Sequence, residues 1–250
     1  MQQEKFKPIS VKAPSSSKVL FYLRCMIDLQ LKTIVHYLRP AMAKLNGKVL
    51  DVGAGESPWR EWLPSSATYY GIDIGNAEDF GMSPNINGVT YYDGRTIPFS
   101  DALFDGAICI EVLEHVEQPE LLLAEIARCV KKGATLLMTV PWSARRHHVP
   151  HDYHRFTKER LSKMLETNGF SQIEISERGT DISVIANKLI VLSSRLALSG
   201  SLSQRLSMAI FFLLTLPVAA GFLLSAHIAD FFDMGSKEDP LGYFVRATRS

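Results

Sequence analysis

Short apolar segments alternate with amphipathic, helix-like segments from Lys48 almost to the end of the chain. This alternation is the strongest constraint on the fold, because strands separated by helices are typical of a parallel sheet covered on both faces. We therefore predict a doubly wound α/β fold with a seven-stranded, mostly parallel sheet. The predicted strands are Lys48–Val52, Thr68–Ile72, Gly88–Tyr92, Asp105–Ile110, Ala134–Val140, Ser171–Ser176 and Gly242–Thr248.

The N-terminal region precedes this pattern. It begins with a polar tail and continues into Val19–Leu38, where apolar residues recur at helical spacing. Pro40 is expected to end or kink this helix. The predicted organisation is an N-terminal tail and amphipathic helix (1–47), the core of the fold (48–178), an apolar helical insertion (179–240) and the last strand (241–250).

One stretch of the insertion is apolar enough to suit a membrane. Leu206–Ala229 holds no Asp, Glu, Lys or Arg and is long enough to cross a bilayer. A single crossing would put the last two strands on opposite sides, although both belong to one sheet. Because Pro217 lies near the middle, we expect a break there and two short helices, Leu206–Leu216 and Val218–Phe231.

Three roles of the insertion stay open: attachment to a membrane surface, a homodimer interface or a buried cap over the pocket, and a true membrane span. The preceding stretch, Ile182–Leu198, is also apolar at helical spacing. Arg195 and Arg205 suit contact with anionic head groups. We expect a cytoplasmic protein that lies on the inner face of the membrane.

The composition excludes two classes of protein. Hydrophobic residues make up 46% of the chain, charged residues 21%, and the net charge is +1. A disordered chain needs lower hydrophobicity and higher net charge, and a strongly basic surface for nucleic acid is not present. The three cysteines, Cys25, Cys109 and Cys129, form no CxxC pair, so we expect a reducing compartment and no disulfide framework.

A glycine turn follows the first predicted strand. The run Asp51–Gly55 (Asp-Val-Gly-Ala-Gly) predicts a Rossmann-like ligand turn, and Ser57-Pro58 predicts a helix start with free backbone N–H groups. Asp73 lies 20 residues beyond Gly53, at the tip of the second strand. A carboxylate there can accept hydrogen bonds from both hydroxyls of a ribose. The turn alone suits NAD or another adenosine cofactor.

Further motifs narrow this choice. Asp93–Phe99, Phe104-Asp105 and Glu111–Val116, together with Val49–Gly55, resemble the class I S-adenosylmethionine-dependent methyltransferases, and within them the type 11 methyltransferase-domain group. The resemblance covers about Lys48 to Phe170 and the last strand. It implies a Rossmann-like fold and S-adenosylmethionine as the cofactor.

The resemblance also implies a set of cofactor contacts at the carboxyl ends of the strands. Gly53 and Gly55 would lie under the methionine part, Asp73 would bind the ribose, and Asp93 would face the adenine amino group. Asp51 either contacts the cofactor or only orders the loop. The complete set is Asp51, Gly53, Gly55, Asp73, Ile74, Asp93, Gly94 and Glu111.

A histidine-rich run, His147–Phe156, follows the fifth strand and holds four of the seven histidines. Three interpretations stay open. His151 or His154 acts as a general base, the histidines bind a metal, or the run is a structural loop anchored by Tyr153. Because neither a cysteine nor a carboxylate cluster accompanies the histidines, we expect no metal. The predicted acceptor contacts are Trp142, His151 and Tyr153.

The resulting expectation is a methyltransferase that uses S-adenosylmethionine to methylate oxygen on a small-molecule, glycan or lipid-linked acceptor. Two alternatives share part of the pattern. An NAD(P)-dependent oxidoreductase explains the glycine turn and Asp73, but not Asp93 or Glu111–Val116. A catalytically inactive, membrane-associated scaffold would bind the cofactor without turnover. No nucleic-acid partner is expected.

Overall fold

The computed structural model describes residues 9–75, 86–198 and 202–250. The strands are β1 (Gly47–Val52), β2 (Ala67–Ile74), β3 (Val89–Tyr92), β4 (Phe104–Ile110), β5 (Val130–Pro141), β6 (Phe170–Arg178) and β7 (Gly242–Arg249). The helices are α1 (Lys18–Ile27), α2 (Leu29–Met42), α3 (Pro119–Cys129), α4 (Lys158–Thr167), α5 (Asp181–Leu198) and α6 (Leu202–Phe231). Short 3₁₀ turns cover Pro14–Ser16, Arg60–Trp62 and Leu113–His115.

The strands form one seven-stranded sheet in the order β3-β2-β1-β4-β5-β7-β6. Strands β1 to β5 are parallel to one another, and β7 runs antiparallel to both of its neighbours, β5 and β6. This confirms the predicted doubly wound, mostly parallel α/β fold. The strand order reverses between β1 and β4, and ligands of open α/β sheets bind at the carboxyl ends of the strands at such a point.

Two hydrophobic clusters cover the two faces of the sheet. Because successive side chains of a strand point to opposite faces, Leu50 packs on the side of α3 and α4, while its neighbour Val49 packs on the side of α1 and α2. Ile108 and Cys109 of β4 divide in the same way. The sheet is therefore buried on both sides, which explains the nearly continuous apolar runs of its central strands.

The N-terminal helix differs from the prediction. Val19–Leu38 does not form one helix, because Asp28 adopts an extended conformation and its side chain accepts a hydrogen bond from the Leu31 N–H at 3.1 Å. A carboxylate that caps the second helix ends the first one. Pro40 also does not end the helix, since α2 continues through Pro40 to Met42 with the loss of one backbone donor.

The insertion before the last strand is a hairpin of two long helices, α5 and α6, which pack along each other. The predicted break at Pro217 was wrong, because α6 is continuous and Leu206–Leu216 and Val218–Phe231 form one helix. A single proline removes one hydrogen bond from a ladder of 30 residues, and the remaining bonds hold the helix. Because α6 runs back along α5, the chain returns to the sheet, and β6 and β7 are not separated as a single membrane crossing would require.

Most apolar side chains of α6 face outward. Within the described residues, the buried side chains of this helix are alanines, Ala219, Ala226 and Ala229. Leu206–Phe231 has a mean hydropathy of 2.2 and is long and apolar enough to cross a membrane by length and composition. Burial inside this chain therefore does not account for the composition of α6.

The base of the hairpin is fixed to the corner between α1 and α2. Leu29 packs with Val184 and Ala226 in a small third cluster. His227 Nε2 donates to the Met26 carbonyl oxygen at 2.8 Å, and the Lys32 ammonium lies 2.6 Å from Asp230 Oδ2. These contacts place the exposed apolar residues of α1 next to those of α6.

A fully buried arginine connects β6 to the centre of the fold. Arg178 Nη2 lies 2.8 Å from Glu111 Oε1 at the end of β4. Other guanidinium nitrogens donate to the carbonyl oxygens of Tyr243 in β7, at 3.3 Å, and Gln30 in α2, at 3.4 Å. Gly242 permits this approach, since a Cβ there would lie 2.4 Å from Arg178 Nη2.

Replacing Arg178 by methionine is expected to destabilise the fold by about 3 kcal/mol, because carbonyl oxygens of three elements and the partly exposed Glu111 lose the buried cation that they contact. Arg246→Met is the matched control in β7, where Arg246 pairs with Glu174 and both side chains are exposed. It should cost less than about 1 kcal/mol. Urea unfolding of both variants measures the difference, and equal losses would contradict the structural role of Arg178.

Candidate functional site

A cavity of about 420 Å³ opens at the carboxyl ends of β1 to β4. Nine of the predicted site residues line it: Gly53, Gly55, Asp73, Ile74, Asp93, Gly94, Glu111, His151 and Tyr153. The other wall residues were not predicted as site residues; they are Val52, Tyr92, Val112, His115, Val116, Glu117, Leu122 and His148. The volume and the mixture of apolar walls with a few carboxylates are typical of a small-molecule site.

The glycine turn brings the backbone to the cavity floor. Gly53 has φ +71°, and a Cβ there would lie 2.4 Å from Val112 Cγ2, so only glycine fits. The prediction that a helix starts at Ser57-Pro58 was wrong. Ser57 itself has φ +54°, its hydroxyl contacts Tyr69 instead of capping a helix, and a 3₁₀ turn at Arg60–Trp62 follows.

The carboxylate of Asp73 is oriented by two backbone donors. Oδ2 accepts from the Gly55 N–H and Oδ1 from the Ile74 N–H, both at 2.7 Å. Burial raises the pKa of Asp73, and these two hydrogen bonds oppose the shift. Each carboxylate oxygen accepts more than one hydrogen bond, so both keep capacity for a diol. This arrangement fits the two hydroxyls of a ribose.

Asp93 provides a second carboxylate at the end of β3. Its Oδ1 accepts from the backbone N–H groups of Arg95 at 2.9 Å and Thr96 at 3.2 Å. These bonds lower the pKa of Asp93, so the group stays ionised and able to accept a hydrogen bond from an amine. Gly94 beside it has φ +76°.

Three predicted residues lie outside the cavity wall. Asp51 is buried beneath it, with Oδ2 at 2.8 Å from the Tyr69 hydroxyl. Trp142 Nε1 donates to Asp239 Oδ1 at 3.1 Å, which directs the indole toward the segment before β7. The ring of His154 stacks on Phe156, and its backbone N–H donates to the Glu114 carbonyl oxygen.

His151 and Tyr153 are polar residues of the cavity wall that come from the loop after β5. His151 Nδ1 lies 3.2 Å from the Tyr153 hydroxyl. The loop that carries them is fixed by Asp152, whose carboxylate lies 2.7 and 2.9 Å from the two terminal nitrogens of Arg155. Of the two predicted bases, the geometry therefore brings His151 to the cavity and leaves His154 outside it.

Sequence reasoning did not place His115 beside the histidine-rich run. The structure brings it within ring contact of both His147 and His148. Burial and the neighbouring His147 lower the pKa of His115 to about 4, so its ring is neutral at physiological pH. The fully buried side chain of Glu114 is adjacent, and burial followed by the charge of Glu111 raises its pKa well above its usual range.

A family model described as "Methyltransferase domain" matches residues 26–175 of the chain, which is more than half of its length. The chain belongs to this methyltransferase family. The match confirms the resemblance to the class I S-adenosylmethionine-dependent methyltransferases and S-adenosylmethionine as the cofactor. It also decides against the NAD(P)-dependent alternative.

Curated relatives of the methyltransferase are similar over part of their length. One is a fatty-acid O-methyltransferase from Mycolicibacterium smegmatis, 29% identical over 114 residues, or 42% of this chain and 41% of the relative. Another is a phosphatidylethanolamine N-methyltransferase from Cereibacter sphaeroides, 26% identical over 101 residues, or 37% of this chain and 49% of the relative. The matches thus span less than half the length of either relative.

The fold of the methyltransferase also matches solved structures. A S-adenosylmethionine-dependent methyltransferase from Thermotoga maritima superimposes with a TM-score of 0.54, over 93% of this chain and 96% of the other. The two sequences are 14% identical, so the likeness concerns the fold alone.

We expect the free energy of unfolding to depend on pH through the buried carboxyl group of Asp51. Burial raises its pKa from the usual 3.8 to about 7, so between these values the folded chain holds a proton that the unfolded chain releases. Stability should therefore fall as pH rises through this window. Because asparagine does not titrate, the stability of the wild type relative to Asp51→Asn should fall by up to about 4 kcal/mol across it. Urea unfolding across this pH range tests the trend, and a constant difference would contradict it.

Proposed function

We propose that the methyltransferase transfers the methyl group of S-adenosylmethionine to an oxygen atom of a lipid or lipid-linked acceptor at a membrane surface. The protein would be cytoplasmic and lie on the inner face of the membrane. The observation that carries this proposal is the large apolar surface that α6 and α1 present to the outside of an otherwise ordinary α/β fold.

The outward side chains of α6 are leucines, phenylalanines and isoleucines. Ile210, Leu213 and Leu214 are each more than 60% exposed. Single exposed apolar residues are normal, but contiguous apolar patches of this kind mark partner or membrane surfaces. Helix α6 has apolar side chains around most of its circumference, which suits lipid better than one protein partner with a single contact face.

Helix α1 adds a second apolar surface beside the first. Its exposed residues include Val19, Leu20, Leu23 and Met26. Met26 contacts His227 through its carbonyl oxygen, so these residues adjoin the C-terminal part of α6. Both curated relatives carry names that specify lipid substrates, which agrees with an acceptor presented by a membrane.

The cavity wall fits the cofactor in three places. Asp73 suits the ribose, Asp93 suits the adenine amine, and the backbone at Gly53 allows the methionine part to lie close to β1. When bound, S-adenosylmethionine supplies a methyl group that is already activated on a sulfonium. The chain therefore has to orient the acceptor and exclude water.

The acceptor side of the cavity is formed by His151 and Tyr153. A hydroxyl acceptor loses its proton during transfer, so a nearby base accelerates the reaction. His151 is the base candidate with access to the cavity, and its contact with the Tyr153 hydroxyl fixes the ring. We propose that His151 and Tyr153 bind the acceptor and that His151 accepts its proton.

Membrane binding can be tested with one matched pair of substitutions. Leu213→Asp on α6 should weaken binding to vesicles by about 10-fold or more, because the leucine side chain no longer enters the apolar phase. Leu121→Asp on α3 is the control, since Leu121 has a similar exposed fraction on another element. Flotation with vesicles that contain anionic lipid measures both. A wild-type protein that stays monodisperse without detergent and does not float would contradict the membrane proposal.

Methyl transfer can be tested with vesicles made from a total lipid extract and isotopically labelled S-adenosylmethionine. The label should appear in a lipid as a methyl ether or methyl ester, identified by mass spectrometry. Asp73→Asn is expected to bind S-adenosylhomocysteine about 10-fold to 100-fold more weakly, because it loses charge-assisted hydrogen bonds, and to transfer correspondingly less label.

Two controls separate the parts of this proposal. Leu213→Asp should keep its affinity for S-adenosylhomocysteine while losing transfer to vesicles. Label found only in water-soluble acceptors would contradict the lipid acceptor. Tight cofactor binding with no transfer to any fraction would favour the inactive scaffold.

A further inference from the structure

Three histidines from two separate segments meet at the wall of the cavity. His115 comes from the 3₁₀ turn after β4, whereas His147 and His148 come from the loop after β5. One nitrogen from each ring lies within 4.8 Å of the nitrogens from the other two. The ring centroids are 4.7 Å apart for His115 and His147, and 5.2 Å apart for each of the other two pairs.

Backbone carbonyl groups orient two of these rings. His115 Nδ1 lies 2.6 Å from the carbonyl oxygen of His151, and His147 Nδ1 lies 3.0 Å from that of Arg145. A carbonyl oxygen only accepts hydrogen bonds, so both rings donate from Nδ1, and in the neutral tautomer Nε2 carries the lone pair. Histidines that bind metals are commonly oriented by this kind of contact through the other ring nitrogen.

The loop that supplies His147 is rigidly supported. Its backbone N–H donates to Asp152 Oδ2 at 3.0 Å, and Asp152, which is almost fully buried, is held by both terminal nitrogens of Arg155. A site that must present ligands at fixed distances needs such support. The three imidazoles are therefore placed by a fixed framework.

Glu114 provides an independent observation. Its side chain is fully buried, and neither carboxyl oxygen has a hydrogen-bond partner among the described residues. Oε1 lies 3.5 Å from His115 Nε2. A buried carboxyl group that makes no hydrogen bond is unfavourable, and a cation at the histidine cluster would stabilise its ionised form.

We propose that His115, His147 and His148 bind a divalent transition-metal ion of the Zn²⁺ class. Imidazole nitrogens are preferred ligands of these ions, and three protein ligands leave a coordination position open. His115 and His148 line the cavity, so an ion held by the cluster would lie at the cavity wall. An oxygen atom of the acceptor would be a suitable further ligand for such an ion.

Metal binding can be tested without substrate or membrane. The full chain, purified without a polyhistidine tag and dialysed against a chelator, is titrated with Co²⁺ while its ligand-field absorption is recorded, and with Zn²⁺ by calorimetry. One ion should bind per chain, with the intense absorption of a low-coordinate Co²⁺ site. His147→Gln should weaken binding by about 100-fold, because it removes one of three ligands.

His36→Gln is the matched control, since His36 lies exposed on α2, away from the cluster. It should bind Co²⁺ and Zn²⁺ as the wild type does. Circular dichroism and the affinity for S-adenosylhomocysteine show whether His147→Gln is folded, because His147 does not line the cavity. Absence of a one-to-one complex in the wild type, or equal binding by a folded His147→Gln variant, would overturn the proposal. Either result leaves the proposed methyl transfer intact.

Discussion

The buried guanidinium of Arg178 joins the parts of this fold that the chain order keeps far apart. It contacts Glu111 at the end of β4, the backbone of β7 and the first turn of α2. A buried cation is tolerated only with a charge partner and further acceptors, and all of these come from different elements. The antiparallel edge of the sheet, helix α2 and the cavity thus share one set of hydrogen bonds.

The contacts of Arg178 with α2 also fix the position of the apolar surface of α1 and α6 relative to the cavity. Helix α2 contacts Arg178 through Gln30 and Thr33, and it supports the base of the α5–α6 hairpin through Leu29 and Lys32. The elements proposed to touch lipid are therefore packed on the same helix that contacts the guanidinium beside Glu111. An acceptor anchored in the membrane would meet a cavity whose position relative to the membrane is fixed.

The sequence was sufficient to predict features that depend on neighbouring residues. The strands and the glycine turn follow from local patterns of apolar residues and glycine, and Asp73 follows from its spacing of 20 residues after Gly53. Predictions failed where tertiary contacts override a local signal. Ser57 bonds to Tyr69 instead of capping a helix, and Pro217 lies within a continuous helix.

The histidine cluster could not be predicted from the sequence for a different reason. His115 and His148 are separated in sequence and meet only because β4 and β5 are neighbours in the sheet. No periodicity or spacing predicts such a meeting, since it depends on the strand order. The composition of His147–Phe156 marks this run as unusual, but it does not indicate that His115 lies beside it.

A crystal structure of the methyltransferase with S-adenosylhomocysteine would show directly how the cavity holds the cofactor product. We expect the ribose hydroxyls on the carboxylate of Asp73, the adenine beside Asp93 and the sulfur end directed toward His151 and Tyr153. A ligand bound elsewhere, or one whose sulfur end points away from His151, would contradict this expectation.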